Sequence, residues 1–133
     1  MKTRAATKLN ERQAELLWSD NIAVVATVGR DGAPQQTPTW VDYDGEHVLF
    51  NTAEGRVKPR NLRRDPRVSL CVVDRDDSHN WVTIVGTAEL THEGAEHHIH
   101  ELARKYTGDD YPLKDGEQRV LVRITPERVN PQS

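Results

Sequence analysis

Three stretches in the first half of the chain are rich in β-branched, aromatic and other strand-forming residues, and tight-turn signals separate these stretches. The first covers 22–28 and the second 35–43, with Arg30-Asp31-Gly32 between them; Asp44-Gly45 then leads into the third, 47–52. Short runs rich in valine, isoleucine, threonine and aromatic residues between turn signals indicate strands, and Asp-Gly pairs are typical of hairpin turns. We therefore predict three consecutive antiparallel strands that form a meander.

The second predicted strand has features that indicate a contact beyond the sheet. Pro38 removes one hydrogen-bond donor, which indicates an edge, a bulge or a ligand beside the backbone, and we favour the last two. Trp40, Val41 and Tyr43 are large side chains for a barrel of 15.1 kDa to bury alone. A dimer interface at this strand is therefore expected.

The second half of the chain contains three further strand patterns. They cover 67–73, 81–90 and 119–124, and the polar stretch 74–80 has the composition of an exposed turn. Three short helices are predicted as well: Asn10 caps one that runs to Trp18. The second helix starts after Gly55 and ends near Asp65-Pro66. The third starts at a Thr91 cap and ends near residues 106–108.

About six strands with regular turn spacing and only three short helices favour a mainly β protein with short helices, of the α+β class. An antiparallel barrel or sandwich accounts for this pattern better than an alternating α/β layout, and closure would hide the sheet edges. With 133 residues, the chain is predicted to be a single domain, 1–133, with its core in 10–129 and tails at 1–9 and 130–133.

Composition restricts the class and the compartment. The chain has 35% hydrophobic and 29% charged residues and no apolar run of the roughly 18 residues that a membrane helix needs. The first ten residues are basic and polar without an apolar stretch behind them, so we expect no secretory signal and a cytoplasmic protein. Cys71 is the single cysteine and lies in an apolar run, which predicts a packed thiol without a chemical role.

One short stretch has a charge opposite to that of the whole chain. Residues 56–67 contain six cationic side chains and one anionic one, whereas the chain has a formal net charge of -3. Concentrated like charge indicates a binding site for an anion, and arginine, lysine and free N–H groups at a helix start all suit phosphate. The alternative is a solvated helix face, which usually mixes both signs. We name residues 56–67 the basic segment.

Nucleic acid is the alternative ligand for the basic segment. Arg63, Arg64 and Arg67 could follow a phosphate backbone. The pI of about 6.1 and the lack of aromatic residues within the segment argue against a strand-length footprint.

Catalytic signatures are missing from the sequence. It contains no Gly-x-Ser-x-Gly elbow, no Walker loop and no dinucleotide fingerprint. His92, His97, His98 and His100 form a cluster, but their order does not match the His-Glu-x-x-His arrangement of zinc sites, and a polar, solvent-facing helix surface is the preferred interpretation. We expect no metal and no catalytic side chain. A phosphate-bearing organic cofactor would instead bring its own reactive atoms.

The chain resembles a known family over most of its length, from about residue 16 to residue 129. Five segments carry the resemblance, in this order: Val24–Val28, Asp31–Gln35, Pro38–Asp42, Val48–Ala53 and Arg56–Arg67. They are similar to the pyridoxamine-5'-phosphate-oxidase-like, coenzyme F420-dependent oxidoreductases of actinobacteria. Pro59 departs from the small or polar residue typical of that family.

The resemblance implies a split β-barrel and a homodimer with two sites at the subunit interface. It implies reduced deazaflavin coenzyme F420 as hydride donor to a small unsaturated substrate. The residues that it places near the cofactor phosphate and tail are Arg56, Lys58, Arg60 and Asn61. Those that it places beside the deazaflavin ring are Thr37, Thr39, Trp40, Asn51 and Thr52, and it implies that Trp81 reaches the site from the second subunit.

Alternatives remain at this stage. Trp40, Trp81, Thr37 and Thr39 are also ordinary core, interface or strand residues. FMN is the second candidate cofactor, because the same barrel holds FMN elsewhere, and a carrier that binds F420 without a substrate is the non-enzyme alternative. Hydride transfer requires no dedicated acid or base, and a substrate proton could come from water or from Tyr43. The substrate itself is not readable from the sequence.

Overall fold

The computed structural model describes residues 6–131, which form one sheet and three helices. The strands are β1 (Ala23–Val28), β2 (Pro34–Thr39), β3 (Asp42–Tyr43), β4 (Val48–Ala53), β5 (Arg67–Asp74), β6 (Asp77–Thr91) and β7 (Arg119–Pro131). The helices are α1 (Glu11–Trp18), α2 (Val57–Arg64) and α3 (Ala95–Thr107). No helix among these residues is long and apolar enough to cross a membrane.

All strand pairs are antiparallel, and the order across the sheet is β2-β1-β5-β6-β7-β4-β3. The sheet curls so that alternate residues of each strand face a common interior, where Val25, Phe50, Ile84 and Val122 are fully buried. Side chains that alternate across a strand give each strand one core face, which the curl brings together. The predicted α+β class and the antiparallel split barrel are confirmed.

Gly86 allows the two longest strands to stay paired. The β6–β7 register shifts at this residue, and a Cβ atom on Gly86 would lie 2.2 Å from the carbonyl oxygen of Thr125. Only glycine permits so close an approach of the two backbones. The bulge curves the sheet and carries β7 past the end of the predicted last strand.

The predicted meander is wrong. The second predicted strand breaks after Thr39 into β2 and β3, which lie at opposite edges of the sheet. The chain crosses over at Trp40 and Val41, where the Val41 N–H donates to the Tyr106 hydroxyl oxygen instead of to a strand. Pro38 is therefore in an edge strand, which is the alternative that the sequence analysis favoured least. The absence of its N–H donor removes no hydrogen bond between strands.

Two other boundaries differ from the prediction. β6 begins at Asp77, so most of the polar stretch 74–80 is strand: Asp77 pairs with Asp74 of β5, and residues 78–80 lie in the register shift before the Val73–Trp81 pair. Helix α3 starts at Ala95 after Gly94, which has φ 74°, and not after Thr91. Strand β6 continues through Thr91 and occupies the position expected for the cap.

Two of the three large residues after β2, which are Trp40, Val41 and Tyr43, are buried within this chain. Val41 is fully buried and Tyr43 is 5% exposed within this chain, so the expectation that both need a dimer interface is wrong. Helix α1 covers Tyr43: the indole of Trp18 donates to its carbonyl oxygen, and the Tyr43 hydroxyl accepts from the Leu9 N–H. Trp40 remains partly exposed.

Helix α2, which contains most of the basic segment, tolerates its proline. Pro59 is buried in the first turn, where a backbone N–H has no acceptor within the helix. Asn61 fastens the helix to the sheet, because its amide donates to the side-chain oxygens of Thr27 and Gln35. The helix thus lies against β1 and along the edge strand β2.

Candidate functional site

A cavity of about 350 Å³ opens between the end of β2, helix α3 and the outer face of strands β4 and β7. We name it the α3 cavity. Its size falls at the lower end of the range for small-molecule sites, roughly 300–1,000 Å³. It is lined by Ile22, Pro38, Thr39, Trp40, Asn51, Arg56, Ile99, Leu102, Tyr111 and Arg119. Four of the residues predicted from the sequence, Thr39, Trp40, Asn51 and Arg56, meet here.

Aromatic rings form one side of the α3 cavity. Trp40 stacks on Tyr106, with centroids 5.4 Å apart and planes 12° from parallel, and meets the ring of Tyr111 edge-on at 6.4 Å. The Tyr106 hydroxyl donates to the Asn21 carbonyl oxygen, and burial raises its pKa to about 12. Tyr106 therefore holds Trp40 in place as a neutral hydrogen-bonding group, which preorganises a flat surface beside the cavity.

Arg119 is a nearly buried cation in the cavity wall, 5% exposed. Its Nε donates to Asn51 Oδ1 at 2.9 Å, its Nη1 donates to Glu117 Oε2 at 2.5 Å, and its guanidinium lies 4.7 Å from the centroid of the Tyr111 ring. These contacts fix the side chain in one geometry. The pairing with Arg119 also lowers the pKa of Glu117.

Asn51 links Arg119 to a buried histidine. Its amide nitrogen donates to the Ala95 carbonyl oxygen at 2.9 Å and lies 3.1 Å from His98 Nδ1. Burial lowers the pKa of His98 to about 4, so the ring is neutral near pH 7 and accepts through Nδ1. The prediction that these histidines form a solvent-facing surface is wrong for His98, whereas His97 is exposed and pairs with Glu101 at 3.3 Å.

A second cavity, of about 480 Å³, lies between the β1–β2 turn and helix α2. We name it the α2 cavity. Arg30, Arg60 and Arg64 line it with one carboxylate, that of Asp31, which accepts from the Ala33 N–H. Three cations against one acid leave this cavity positively charged.

The basic segment divides into paired and unpaired cations. Arg63 forms a two-bond ion pair with Glu54, and Arg67 pairs with Asp65 at 2.7 Å. Within residues 6–131, no carboxylate oxygen lies within 4.0 Å of a charged nitrogen of the other four, which are Arg56, Lys58, Arg60 and Arg64. The local excess of charge that the sequence shows is therefore carried by these four side chains.

Lys58 lies between the two cavities. Its Nζ donates to Thr37 Oγ1 at 2.7 Å, so the side chain crosses from α2 to the edge strand. Burial, and then the nearby charge of Arg56, lower the pKa of Lys58. An ammonium that is half-buried and next to another cation is stabilised by any anion that binds there.

The remaining predicted residues lie elsewhere. Thr52 is fully buried and faces the barrel interior, where its hydroxyl has no partner among the described residues, so its side chain lines neither cavity. Asn61 borders the α2 cavity, but its amide is engaged with Thr27 and Gln35. Trp81 lies on the outer face of β6, opposite Val73 of β5, and lines neither cavity.

Sequence reasoning missed half of the α3 cavity. Ile99 and Leu102 fall within a predicted helix, Tyr111 lies in a loop without a pattern, and Arg119 is the first residue of a predicted strand, so nothing in the sequence marks them as site residues. The available signal was register: Arg119 precedes Val120, whose side chain faces the core, so Arg119 must face outward. Asn51 and Arg119 meet only because β4 pairs with β7.

The family model described as pyridoxamine 5'-phosphate oxidase matches residues 9–133. The chain belongs to the pyridoxamine 5'-phosphate oxidase family. This is a family of flavin-binding oxidoreductases, which places the chain in the oxidoreductase class.

Several solved structures share the fold of this chain. An F420 reductase is 27% identical, with 92% of this chain and 98% of that chain covered and a TM-score of 0.83. A conserved hypothetical protein from Mycobacterium tuberculosis is 31% identical over 97% of this chain and 88% of that chain, with a TM-score of 0.70. HupZ from Group A Streptococcus, at 23% identity over 94% of this chain and 95% of that chain, shares the fold with a TM-score of 0.70.

Proposed function

We propose that this protein is an F420-dependent oxidoreductase that transfers a hydride between F420 and a small unsaturated substrate. The observation that carries the proposal is the row of unpaired cations from Arg56 to Arg64. Arg56 lines the α3 cavity, Lys58 donates to Thr37 of the edge strand β2, and Arg60 and Arg64 line the α2 cavity. The similarity to an F420 reductase points to the same cofactor.

The length of this row suits an extended anion. The α3 cavity touches Arg56 and Thr39, and the α2 cavity touches Arg64 and Gln35. The eight residues of α2 rise about 12 Å, and the four-residue step along β2 spans about 13 Å. FMN has one phosphate to offer, whereas F420 carries several carboxylates on its tail as well as a phosphate. Four unpaired cations along about 12 Å match the second ligand better.

The residues divide the task by position. Arg56 and Lys58 would hold the phosphate, and Arg60, joined by Arg64, would hold the tail carboxylates. The ring would lie beside Thr37, Thr39, Trp40 and Asn51. Bound F420 supplies hydride chemistry from C5 of its deazaflavin ring. The protein's own contribution is to orient the ring against the rigid Trp40–Tyr106 stack and to exclude water from one side.

Tyr43 is not a proton source for this site. Its hydroxyl donates to the Gly45 carbonyl oxygen and accepts from the Leu9 N–H beneath α1, and it lines neither cavity. No side chain is therefore proposed as a catalytic acid or base.

A second copy of the chain would complete the site. The outer face of β1 and β5 exposes Val24 and Val73, each 41% exposed, beside Ile22 at 46%. Trp81 lies on the same face, opposite Val73. We propose that this face forms a homodimer interface, through which Trp81 reaches the partner's site. Sedimentation should give the dimer mass for the natural chain and the monomer mass for Val24→Lys; a monomeric natural chain at micromolar concentration would exclude the interface.

The cofactor assignment is tested with a truncated ligand. The deazaflavin riboside that lacks the phosphate and tail keeps the ring but loses every group that the four cations would bind. Each charge-assisted contact contributes about 1.5–3 kcal/mol, so F420 should bind at least about a hundredfold more tightly than the riboside. Equal dissociation constants would show that the basic segment does not hold the cofactor.

A further inference from the structure

The α3 cavity has two chemically different walls. Thr39, Trp40 and Arg56 form the wall on the side of β2 and α2, and all three belong to the proposed cofactor set. Ile99, Leu102, Tyr111 and Arg119 form the opposite wall, and none of them has a proposed task. We name this second set the α3 wall. It combines an apolar surface, one phenol ring and one guanidinium.

The N–H groups of Arg119 in the α3 wall are not all hydrogen-bonded within the described residues. Its Nε and Nη1 bond to Asn51, Glu117 and the Tyr111 hydroxyl, but its Nη2 has no hydrogen-bond partner among residues 6–131. Nη2 is also not among the fully enclosed polar atoms without partners, so it keeps access to the cavity that Arg119 lines. An accessible guanidinium N–H beside a cavity can donate to an acceptor that binds there.

The charge around Arg119 selects the kind of acceptor. Glu117 already neutralises one positive charge, so Arg119 and Arg56 together leave the cavity with a net charge of about one. A singly charged, planar carboxylate matches this balance better than a doubly charged phosphate does, and Nη2 can donate to one of its oxygens. Ile99, Leu102 and the Tyr111 ring would enclose a flat apolar body attached to it.

We propose that the α3 wall is a substrate subsite for a small, planar, conjugated carboxylate, and that Arg119 is the residue that selects the carboxylate. The inference rests on the proposed function for its place beside the cofactor. Asn51, Glu117 and Tyr111 hold the guanidinium so that Nη2 points into the cavity. Binding of the carboxylate itself does not require the cofactor.

Two probes of the same shape test the selection. Cinnamate has a conjugated carboxylate on a phenyl ring, and cinnamamide replaces the carboxylate with a neutral amide. Calorimetry on the natural chain should give cinnamate a dissociation constant at least about tenfold lower than that of cinnamamide. In Arg119→Gln this ratio should fall below about twofold. Equal affinities in the natural chain, no cinnamate binding, or a ratio that survives in Arg119→Gln would each overturn the proposal.

A gain-of-affinity variant keeps the test decisive if Arg119→Gln does not fold. Glu117→Gln removes the carboxylate that competes for Nη1 and raises the local charge by one. Cinnamate should then bind at least about threefold more tightly, with cinnamamide unchanged. A structural role alone for the Glu117–Arg119 pair predicts no gain for the carboxylate, and that result would overturn the proposal.

The same titrations separate this subsite from the cofactor site. Cinnamate should bind equally well in the presence of saturating F420, and Arg119→Gln should leave F420 affinity within about twofold. Competition between cinnamate and F420 would place the carboxylate in the cofactor's position and overturn the inference. If F420 does not bind at all, the proposed function fails, while the ratio of cinnamate to cinnamamide still decides the carboxylate subsite.

Discussion

Replacing both Arg56 and Lys58 with alanine should weaken F420 binding by about a hundredfold to a thousandfold. Each single replacement removes a charge-assisted contact of about 1.5–3 kcal/mol, which corresponds to a tenfold to hundredfold rise in the dissociation constant. The two side chains would share one phosphate, so their effects should be less than additive. The free energy of unfolding should be unchanged or slightly higher in the double variant, because two neighbouring cations repel each other when no anion is bound.

The matched control removes the same charge from the same basic segment. Arg63 and Arg67 already pair with Glu54 and Asp65, so the double replacement Arg63→Ala and Arg67→Ala should change F420 affinity less than about threefold at 0.15 M salt. Similar losses in both double variants would mean that only the total charge matters. Unchanged F420 affinity in the variant that lacks Arg56 and Lys58, with thermal stability intact, would show that the basic segment is only a solvated surface.

Lys58→Arg adds a pH test of the same contact. Burial and Arg56 lower the pKa of Lys58 below its ordinary 10.5, so the ammonium loses its proton at a lower pH than an exposed lysine would. F420 affinity of the natural chain should therefore fall as the pH rises through that lowered pKa. The arginine variant should hold its affinity over the same interval, because a guanidinium stays protonated; parallel decline in both proteins would assign the effect to another group.

Acidification from pH 7 to pH 4 should reduce the free energy of unfolding by about 3 kcal/mol through His98 alone. Its pKa is about 4 in the folded chain against an ordinary 6.5, because burial disfavours the charged ring. The unfolded chain therefore takes up the proton first. The stabilisation is complete above pH 6.5 and is lost as the pH falls towards 4, and about 2.5 pKa units correspond to about 3 kcal/mol.

Urea unfolding across this interval measures the effect. His98→Gln keeps a side-chain acceptor for Asn51 but cannot take up a proton, so its stability should change little between pH 6.5 and 4.5. The carboxylates of Glu54 and Asp65, whose pKa values ion pairing lowers to about 2, lose their contribution mainly below that interval. The exposed His97→Gln should keep the slope of the natural chain, and an equal slope in His98→Gln would contradict the assignment.

A strand was predictable from the sequence where its own residue pattern matches its place in the sheet. β1 and β5 alternate between buried and more exposed residues, β4 is buried almost throughout, and the predicted bounds of all three differ from the observed ones by one residue at most. β7 runs seven residues past its predicted end, through Pro126, because the bulge at Gly86 lets β6 accompany it. Polar residues 77–80 are strand in spite of their composition, although only Asp77 among them has a partner in β5.

The site was predictable in its charges but not in its partners. The sequence shows six cations between residues 56 and 67, yet only the fold shows that Glu54 and Asp65 neutralise two of them. Arg119 enters the cavity through the pairing of β4 with β7, which joins positions 68 residues apart. Contacts of this range depend on topology, and local patterns do not encode them.

The cofactor preference itself tests the central claim most directly. Titration of the purified chain with F420 and with FMN, followed by fluorescence and equilibrium dialysis at about 0.15 M salt, compares one phosphate with a phosphate and a carboxylate tail on the same cations. We expect a dissociation constant for F420 at least about tenfold below that for FMN, because FMN leaves Arg60 and Arg64 without an anion. Equal or tighter binding of FMN would contradict the account and assign the protein to FMN chemistry.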